Sequence, residues 1–437
     1  MPNDTPLKRV GSLPWQSPLH YAAAMSEDED SWVLLYSGMT AEFTGRYSLL
    51  AFGLEKEVLS DNFRELEREL SIHQEKYSNA WFGYLGYGLK NVLETLPSDA
   101  PSFIPMPSLW FGQYQVILVF DHSTQVVHVH APSEDYLARI PAPVAPHAKK
   151  VAPLAWMGSN MTKARYLDNV ATIKEAIFRG DLYQANLTRK FYGEFEETPH
   201  PFEIFLNLCE QSPAPYSVFM KRSNSFILSS SPEQFLKIDA EGRVETRPIK
   251  GSAPRFTDSE KDTASREALQ KSEKNRAENL MIVDLMRNDL SRHCVPGTVK
   301  VDDLFHITSY ATVHHMASTV YGQKMQETPA LDVVKGCFPP GSMTGAPKIE
   351  AMQLCSELEP QARGVYSGAI GWFGGNGEME LSVVIRTLLI KDTHFEFQVG
   401  GAIVADSDPE DEWQETIIKS RGIAAALNIP VSRLEAL

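Results

Sequence analysis

Short apolar runs separated by turn-forming residues dominate the first third of the chain. Residues 32–37, 81–87 and 113–120 read as strands of this kind. The pattern breaks at Pro141-Ala-Pro-Val-Ala-Pro146, which continues through Lys149, Lys150 and Pro153 and reads as an extended connector. Beyond it, Lys163–Arg179 has helical spacing and stops at Gly180, a natural C-cap. Strands and helices then alternate to residue 437. Runs at 225–229 and 234–238 predict strands, Asp239-Ala-Glu-Gly242 a turn, and 243–249 the returning strand. Such a hairpin would bring Glu233 and Lys250 together at its open end. Residues 260–290 are rich in helix formers, and the apolar run 280–285 within them is expected to be largely buried.

Composition narrows the function classes. At 437 residues and 43% hydrophobic, the chain is long enough for two or three domains by size alone. Its net charge is -15, from 41 basic and 56 acidic residues, with no dense Lys/Arg run, so no nucleic-acid partner is expected. An anionic substrate would need a local basic pocket within this acidic molecule. No apolar stretch approaches the ~18 residues of a membrane span, and residues 1–25 lack the apolar core of a secretory signal. No membrane association is expected. Cys209, Cys294, Cys337 and Cys355 are dispersed without CxxC spacing, which suggests free thiols in a reducing cytoplasm.

Three segments carry candidate chemistry. In Arg247-Pro-Ile-Lys-Gly-Ser-Ala-Pro-Arg255, a lysine leaving a buried strand into a glycine turn would lose solvation, which lowers its pKa and frees a nucleophilic lone pair. Taken alone, a lysine at a strand end more often snorkels to water. Ser231-Pro-Glu233 supplies a carboxyl that would serve as a general acid if burial raised its pKa.

The second segment, Pro339-Pro-Gly-Ser-Met-Thr-Gly-Ala-Pro-Lys348, exposes backbone N–H groups at a helix start. Its spacing fails the P-loop pattern, so a carboxylate cradle and a purely structural loop both remain open. In the third, Asp406-Ser-Asp-Pro-Glu-Asp-Glu-Trp-Gln-Glu-Thr416, Pro409 suits the first helical turn and Asp406 to Asp408 supply caps. Glu412 and Glu415 then share a face, with Lys419 one turn on. Oxygen donors of this kind suit Mg²⁺, although an acidic first turn also simply complements the helix dipole.

Together with Gly180-Asp-Leu-Tyr-Gln-Ala-Asn-Leu-Thr188, Glu278-Asn-Leu-Met-Ile-Val-Asp-Leu-Met-Arg-Asn-Asp289, Val313-His-His-Met-Ala-Ser318, Gly364-Val-Tyr-Ser-Gly368 and Val399-Gly-Gly-Ala-Ile-Val-Ala-Asp-Ser407, these segments form an ordered series. The series resembles the chorismate-utilising family of anthranilate, aminodeoxychorismate, isochorismate and salicylate synthases. It covers roughly residues 163–425 strongly and the N-terminal region faintly. Within the family, the lysine of Pro-Ile-Lys-Gly is similar to the branch that aminates chorismate at C4, the aminodeoxychorismate synthases; anthranilate synthase is the alternative. A glutamine at 184, where isochorismate and salicylate synthases place a basic lysine, argues against those members. Leu34-Leu-Tyr-Ser37 stands where tryptophan-inhibited members carry an acidic third residue.

The resemblance implies an α/β (α+β) fold like that of anthranilate synthase component I: a two-sheet β-sandwich core with outer helices. It also implies an N-terminal subdomain, residues 1–140, interleaved with a chorismate-binding catalytic domain, residues 155–437. Mg²⁺ would bind Glu278 and Glu415, with Glu412 acting through water. Arg386, Lys419, Tyr366, Gln184, Ser252, Thr344 and the backbone at Gly345 and Gly401 would hold chorismate. Lys250 would be the nucleophile and Glu233 the general acid, with His315 orienting the leaving group and His314 beside it serving only as packing. No Gly-x-Cys-x-Gly elbow is present, so ammonia would arrive free or from a separate glutaminase subunit.

Overall fold

The computed structural model describes residues 6–25, 29–39, 44–70, 76–147, 151–310 and 313–437. Residues 1–5 of the N-terminal stretch, and Lys149 and Lys150 of the expected connector, lie outside them.

Among the described residues, twenty strands form one hydrogen-bonded network that folds into two layers. Two long strands, Tyr47–Ser60 and Leu109–Asp121, pair antiparallel and belong to both layers, with a register shift between Leu54 and Lys56. The far end of the second, at Ile117 to Asp121, pairs with Val126–Ala131, whereas Leu109 to Gln113 pair with Trp81–Leu85. From this shared pair one sheet continues through Ser31–Tyr36, Tyr216–Arg222, Ser225–Ser231, Thr387–Lys391, His394–Ile403 and Gln184–Phe195. The other continues through Trp81–Leu85, Ala369–Phe373, Met379–Val383, Gln234–Ile238, Arg243–Arg247 and Val313–Gln323. Strands from before and after the connector thus share both sheets.

Period-two geometry explains why these strands read as unbroken apolar runs. In Tyr216–Arg222, Val218 and Met220 point between the sheets, and Phe219 points outward onto helices. Both faces are buried, so both carry apolar side chains. The inter-sheet core joins Val33, Ile117 and Ile227 of one sheet to Phe82, Ile370 and Trp372 of the other. Helices Pro201–Gln211 and Pro409–Ala426 cover the outer face of the first sheet. Helices Glu273–Ser291 and Ala330–Cys337 cover that of the second. The architecture is the expected α/β two-sheet sandwich with outer helices.

Three local expectations are corrected. The helix expected at 260–290 is two helices, Ser259–Lys271 and Glu273–Ser291, because Ser272 ends the first and caps the second through Asn275 N–H. Within the second, Leu280 is 44% exposed, and of the run 280–285 only Ile282 and Val283 are fully buried. The helix turns one face to the sheet, so its buried set, Asn279, Ile282, Val283, Met286, Asp289 and Leu290, follows the 3.6-residue period. The returning strand splits into Arg243–Arg247 and Ile249–Pro254, since Pro248 has no N–H to donate to a ladder.

Lys163–Arg179 ends at a left-handed Gly180, and Asp408 caps Pro409–Ala426 by accepting from Glu410 and Asp411 N–H, as the sequence indicated. Among the described residues, no helix is long and apolar enough to cross a membrane.

Candidate active site

The hairpin closes as its turn residues indicate, with Gln234 opposite Arg247. Its open end places Glu233 beside Ile249 and Lys250. Glu233 is 5% exposed; its carboxyl accepts from the Ile249 backbone N–H and is hydrogen-bonded to the Ser342 side chain. Burial pushes this carboxyl up to about 7, against the opposing pull of Ser342 and the Lys250 charge. Burial likewise lowers the Lys250 amine, with Lys419 adding to the effect while Glu278, Glu233 and Glu415 oppose it. A carboxyl displaced upward thus lies beside an amine displaced downward. This is the pairing a general acid and a nucleophile require.

Ser252 and His315 are register partners, and the Ser252 hydroxyl lies 2.7 Å from His315 Nδ1. Burial and the Arg386 charge push His315 down to about 3, so its imidazole is neutral at physiological pH. Arg386 itself occupies the left-handed region at φ 49°, a strained setting for a long side chain. The guanidinium reaches Ser212 Oγ only at 3.5 Å, which leaves most of its donors for a carboxylate. His314, read as packing, is instead hydrogen-bonded: Nδ1 to Ser309 at 2.8 Å and Nε2 to Asp262 at 3.1 Å. Strand alternation turns it to the opposite face from His315.

The three candidate metal ligands share one electrostatic neighbourhood. Glu412 and Glu415 flank Gly401: a Cβ there would lie 2.8 Å from Glu412 Oε2 and 3.4 Å from Glu415 Oε1, so both carboxylates close over this glycine. Glu412 Oε1 accepts from Ser407 Oγ at 2.7 Å, while its buried Oε2 has no partner. Burial and the neighbouring Glu415 charge raise Glu412. Burial also raises Glu278, with Glu415 adding to it. Glu415 is the exception: burial pushes it up, but Lys419, 2.6 Å away, brings it below the usual range. Lys419 also donates to Gly400 O at 2.8 Å. Among the described residues, no three His, Cys, Asp or Glu side chains are gathered as a closed metal site. The donor set still fits a hard divalent cation, because an orphaned carboxylate oxygen and mutually repelling carboxylates call for positive charge.

A two-residue ladder, Gly345 to Ala185 and Ala346 to Gln184, seats the glycine loop on strand Gln184–Phe195. Gly345 has φ 152°, and a Cβ there would fall 2.2 Å from Gln184 O, so only glycine fits. Gln184 is fully buried with neither amide atom hydrogen-bonded, an arrangement that suits an incoming polar ligand. Thr344 is buried and spends its hydroxyl on Gly341 O at 3.2 Å. Tyr366 is buried, and burial raises its hydroxyl.

Several contributors were not among the sequence candidates. Ser342 bonds Glu233, and Tyr166 carries a buried hydroxyl without a partner in the field of Glu412, Glu415 and Tyr366. Lys274 lies in the field of all three carboxylates. Its position, four residues before Glu278 on the same helix face, was a legible signal; Tyr166 and Ser342 gave none. Lys348 is not free for a ligand, since it pairs with buried Asp289 at 2.7 Å. A second cavity of about 740 Å³ is lined by Leu35, Tyr36, Ser37, Tyr216, Trp372 and Glu380 among others, and it reaches the turn end of the hairpin at Lys237, Ile238 and Asp239.

Comparison with known proteins places the chain among chorismate binding enzymes. The family profile for chorismate binding enzymes matches residues 22–425. Aminodeoxychorismate synthase component 1 of Salmonella typhimurium is 39% identical over 341 residues, 77% of this chain and 74% of that protein. Anthranilate synthase component 1 of Streptomyces coelicolor is 36% identical over 372 residues, 79% and 72% of the two chains. The crystal structure of anthranilate synthase component I from Streptococcus pneumoniae superposes with a TM-score of 0.77 at 28% identity, covering 93% of this chain and 97% of that one.

Proposed function

Because this chain belongs to the chorismate-binding enzymes, we propose that it aminates chorismate at C4, giving 4-amino-4-deoxychorismate, the precursor of 4-aminobenzoate and folate. The observation that carries the reading is the Glu233–Lys250 pair at the open end of the hairpin, in which burial shifts the carboxyl up and the amine down, the directions the reaction needs. Curated relatives named aminodeoxychorismate synthase component 1 support it over most of the chain.

Lys250 Nζ attacks C2 of the ring as both conjugated ring double bonds shift, to C1=C6 and C4=C5. Glu233 gives its proton to the C4 hydroxyl, which leaves as water. Ammonia then adds at C4, both double bonds shift back, and the C2–N bond to Lys250 breaks. The amine and Glu233 recover their starting protonation through loss of the ammonia-derived proton. Splitting the substitution into two allylic displacements lowers each barrier. Neutral His315, held by Ser252, orients the departing hydroxyl. Arg386, Lys419 and the N–H groups at Gly345 bind the carboxylates, with Gln184, Tyr366 and Thr344 closing the pocket.

Glu278 and Glu415 would hold Mg²⁺, with Glu412 through water. When bound, the ion neutralises the ring carboxylate of chorismate. A component 1 name implies a second component, and a separate glutaminase subunit is the source of ammonia we propose, in the cytoplasm.

The Streptomyces coelicolor relative favours one alternative, amination with loss of pyruvate to give anthranilate. Product analysis of the purified chain with chorismate, Mg²⁺ and ammonium separates the two. A C4-aminated product that retains its enolpyruvyl group supports the proposal, and anthranilate with pyruvate overturns it.

A further inference from the structure

Arg363 is 2% exposed and distributes its guanidinium over four chain segments. Nη1 donates to Met343 O at 2.7 Å and to Ser367 Oγ at 3.3 Å. Nη2 donates to Asn186 O at 2.7 Å and to Glu359 Oε1 at 2.7 Å, and Nε donates to Glu359 Oε2 at 2.8 Å. The plane sits 4.6 Å from the Tyr87 ring. Glu359 is tied in turn to the same strand as Asn186: its Oε1 accepts from Thr188 N–H at 3.0 Å and Thr188 Oγ1 at 2.7 Å.

The two carbonyls that Arg363 grips flank a single backbone bond, Asn186 N–H to Thr344 O at 2.8 Å. That bond and the two-residue ladder at Gly345 and Ala346 are what seat the glycine loop on the strand carrying Gln184. A ladder of two pairs is a weak constraint by itself. A planar fork bridging the neighbouring carbonyls fixes both the spacing and the angle of the loop, and a bidentate carboxylate fixes the fork. Ser367, the neighbour of Tyr366, is held by the same group.

We propose that Arg363, anchored by Glu359, is the positioning residue that sets the Thr344–Gly345 cradle against Gln184 and Tyr366, and so sets the affinity for the chorismate carboxylate. This rests on the proposed use of the cradle for chorismate. The guanidinium does not itself touch substrate, because its donors are occupied by protein oxygens.

The test replaces Arg363 by lysine, which keeps the charge but cannot bridge Met343 O, Asn186 O and both Glu359 oxygens together. Chorismate binding to the full chain is measured by equilibrium dialysis with Mg²⁺ present, alongside the KM for ammonium and the melting temperature. Losing charge-assisted bonds of this kind is expected to raise the chorismate Kd about tenfold or more in the folded variant, with the ammonium KM unchanged. An unchanged chorismate Kd, or equal losses in both substrates, overturns the proposal. Should the lysine variant fail to fold, Glu359→Gln decides, since it leaves the fork in place but unanchored: a rise in chorismate Kd alone supports the proposal, and none overturns it. Because dialysis reads binding and not product, a chain that makes anthranilate would defeat the C4-amination reading and leave this result standing.

Discussion

Glu233 accepts the backbone N–H of Ile249 and so lies one residue from Lys250, and the two groups are displaced in opposite directions, the carboxyl up to about 7 and the amine down. Two opposite charges attracting one another would shift the other way. Removal from water outweighs that attraction, so the carboxyl is displaced upward and the amine downward.

Replacing Lys250 by alanine removes the proposed nucleophile while leaving the hairpin backbone intact. C4 amination is expected to fall at least about 100-fold, followed by chromatography with mass detection. Undiminished formation of the C4-aminated product would dismiss the covalent route.

The raised carboxyl of Glu233 also makes a prediction about pH. Folded protein holds this proton up to about pH 7, whereas the unfolded chain releases it near the ordinary carboxylate value. Stability therefore falls as pH rises between those two values, and the loss is complete above about 7. Glu233→Gln should melt higher than the parent at pH 8, by at most about 3 kcal/mol, and show no advantage at pH 4. Its activity should drop by roughly 10²- to 10⁴-fold, and the parent's kcat/KM at fixed free ammonia should decline through pH 7. Melting differences independent of pH would contradict the assignment.

Lys419 neutralises Glu415 in the structure, where the proposal places Mg²⁺. Lys419→Met should accordingly tighten Mg²⁺ binding severalfold by calorimetry, because a competing ammonium is gone, while chorismate binds more weakly. Weaker Mg²⁺ binding in this variant would mean that the carboxylates do not receive the ion.

Gly345→Ala adds a methyl group 2.2 Å from Gln184 O in a backbone region that side chains rarely occupy. The expected outcome is a loss of more than about 1 kcal/mol in stability, with chorismate binding at least tenfold weaker. Parent-like melting and dialysis results would show that the loop yields freely.

Much of the site was legible because its chemistry is local. The turn Asp239 to Gly242 dictates a hairpin, and a hairpin dictates that Glu233 and Lys250 meet. Asp408 and Pro409 fix a helix start, which puts Glu412, Glu415 and Lys419 on consecutive turns. The ordered series of segments pointed to the chorismate-utilising family, and the family profile agrees over residues 22–425.

What the sequence could not decide was which polar residues end up buried and against what. Leu280 belongs to an apolar run yet faces water, because helix rotation is settled by the sheet it packs on. His314 and His315 are adjacent and chemically identical, but strand alternation sends one to Asp262 and the other to Ser252. Arg363 reads as one more charged residue until folding brings Asn186 and Met343 around it from distant segments, beside Glu359 only four residues away. Local propensity and spacing determined the elements, and the resemblance carried by the ordered motifs nominated the reacting groups we propose. Tertiary packing alone determined desolvation, and desolvation is what sets the protonation of Glu233, Lys250 and His315.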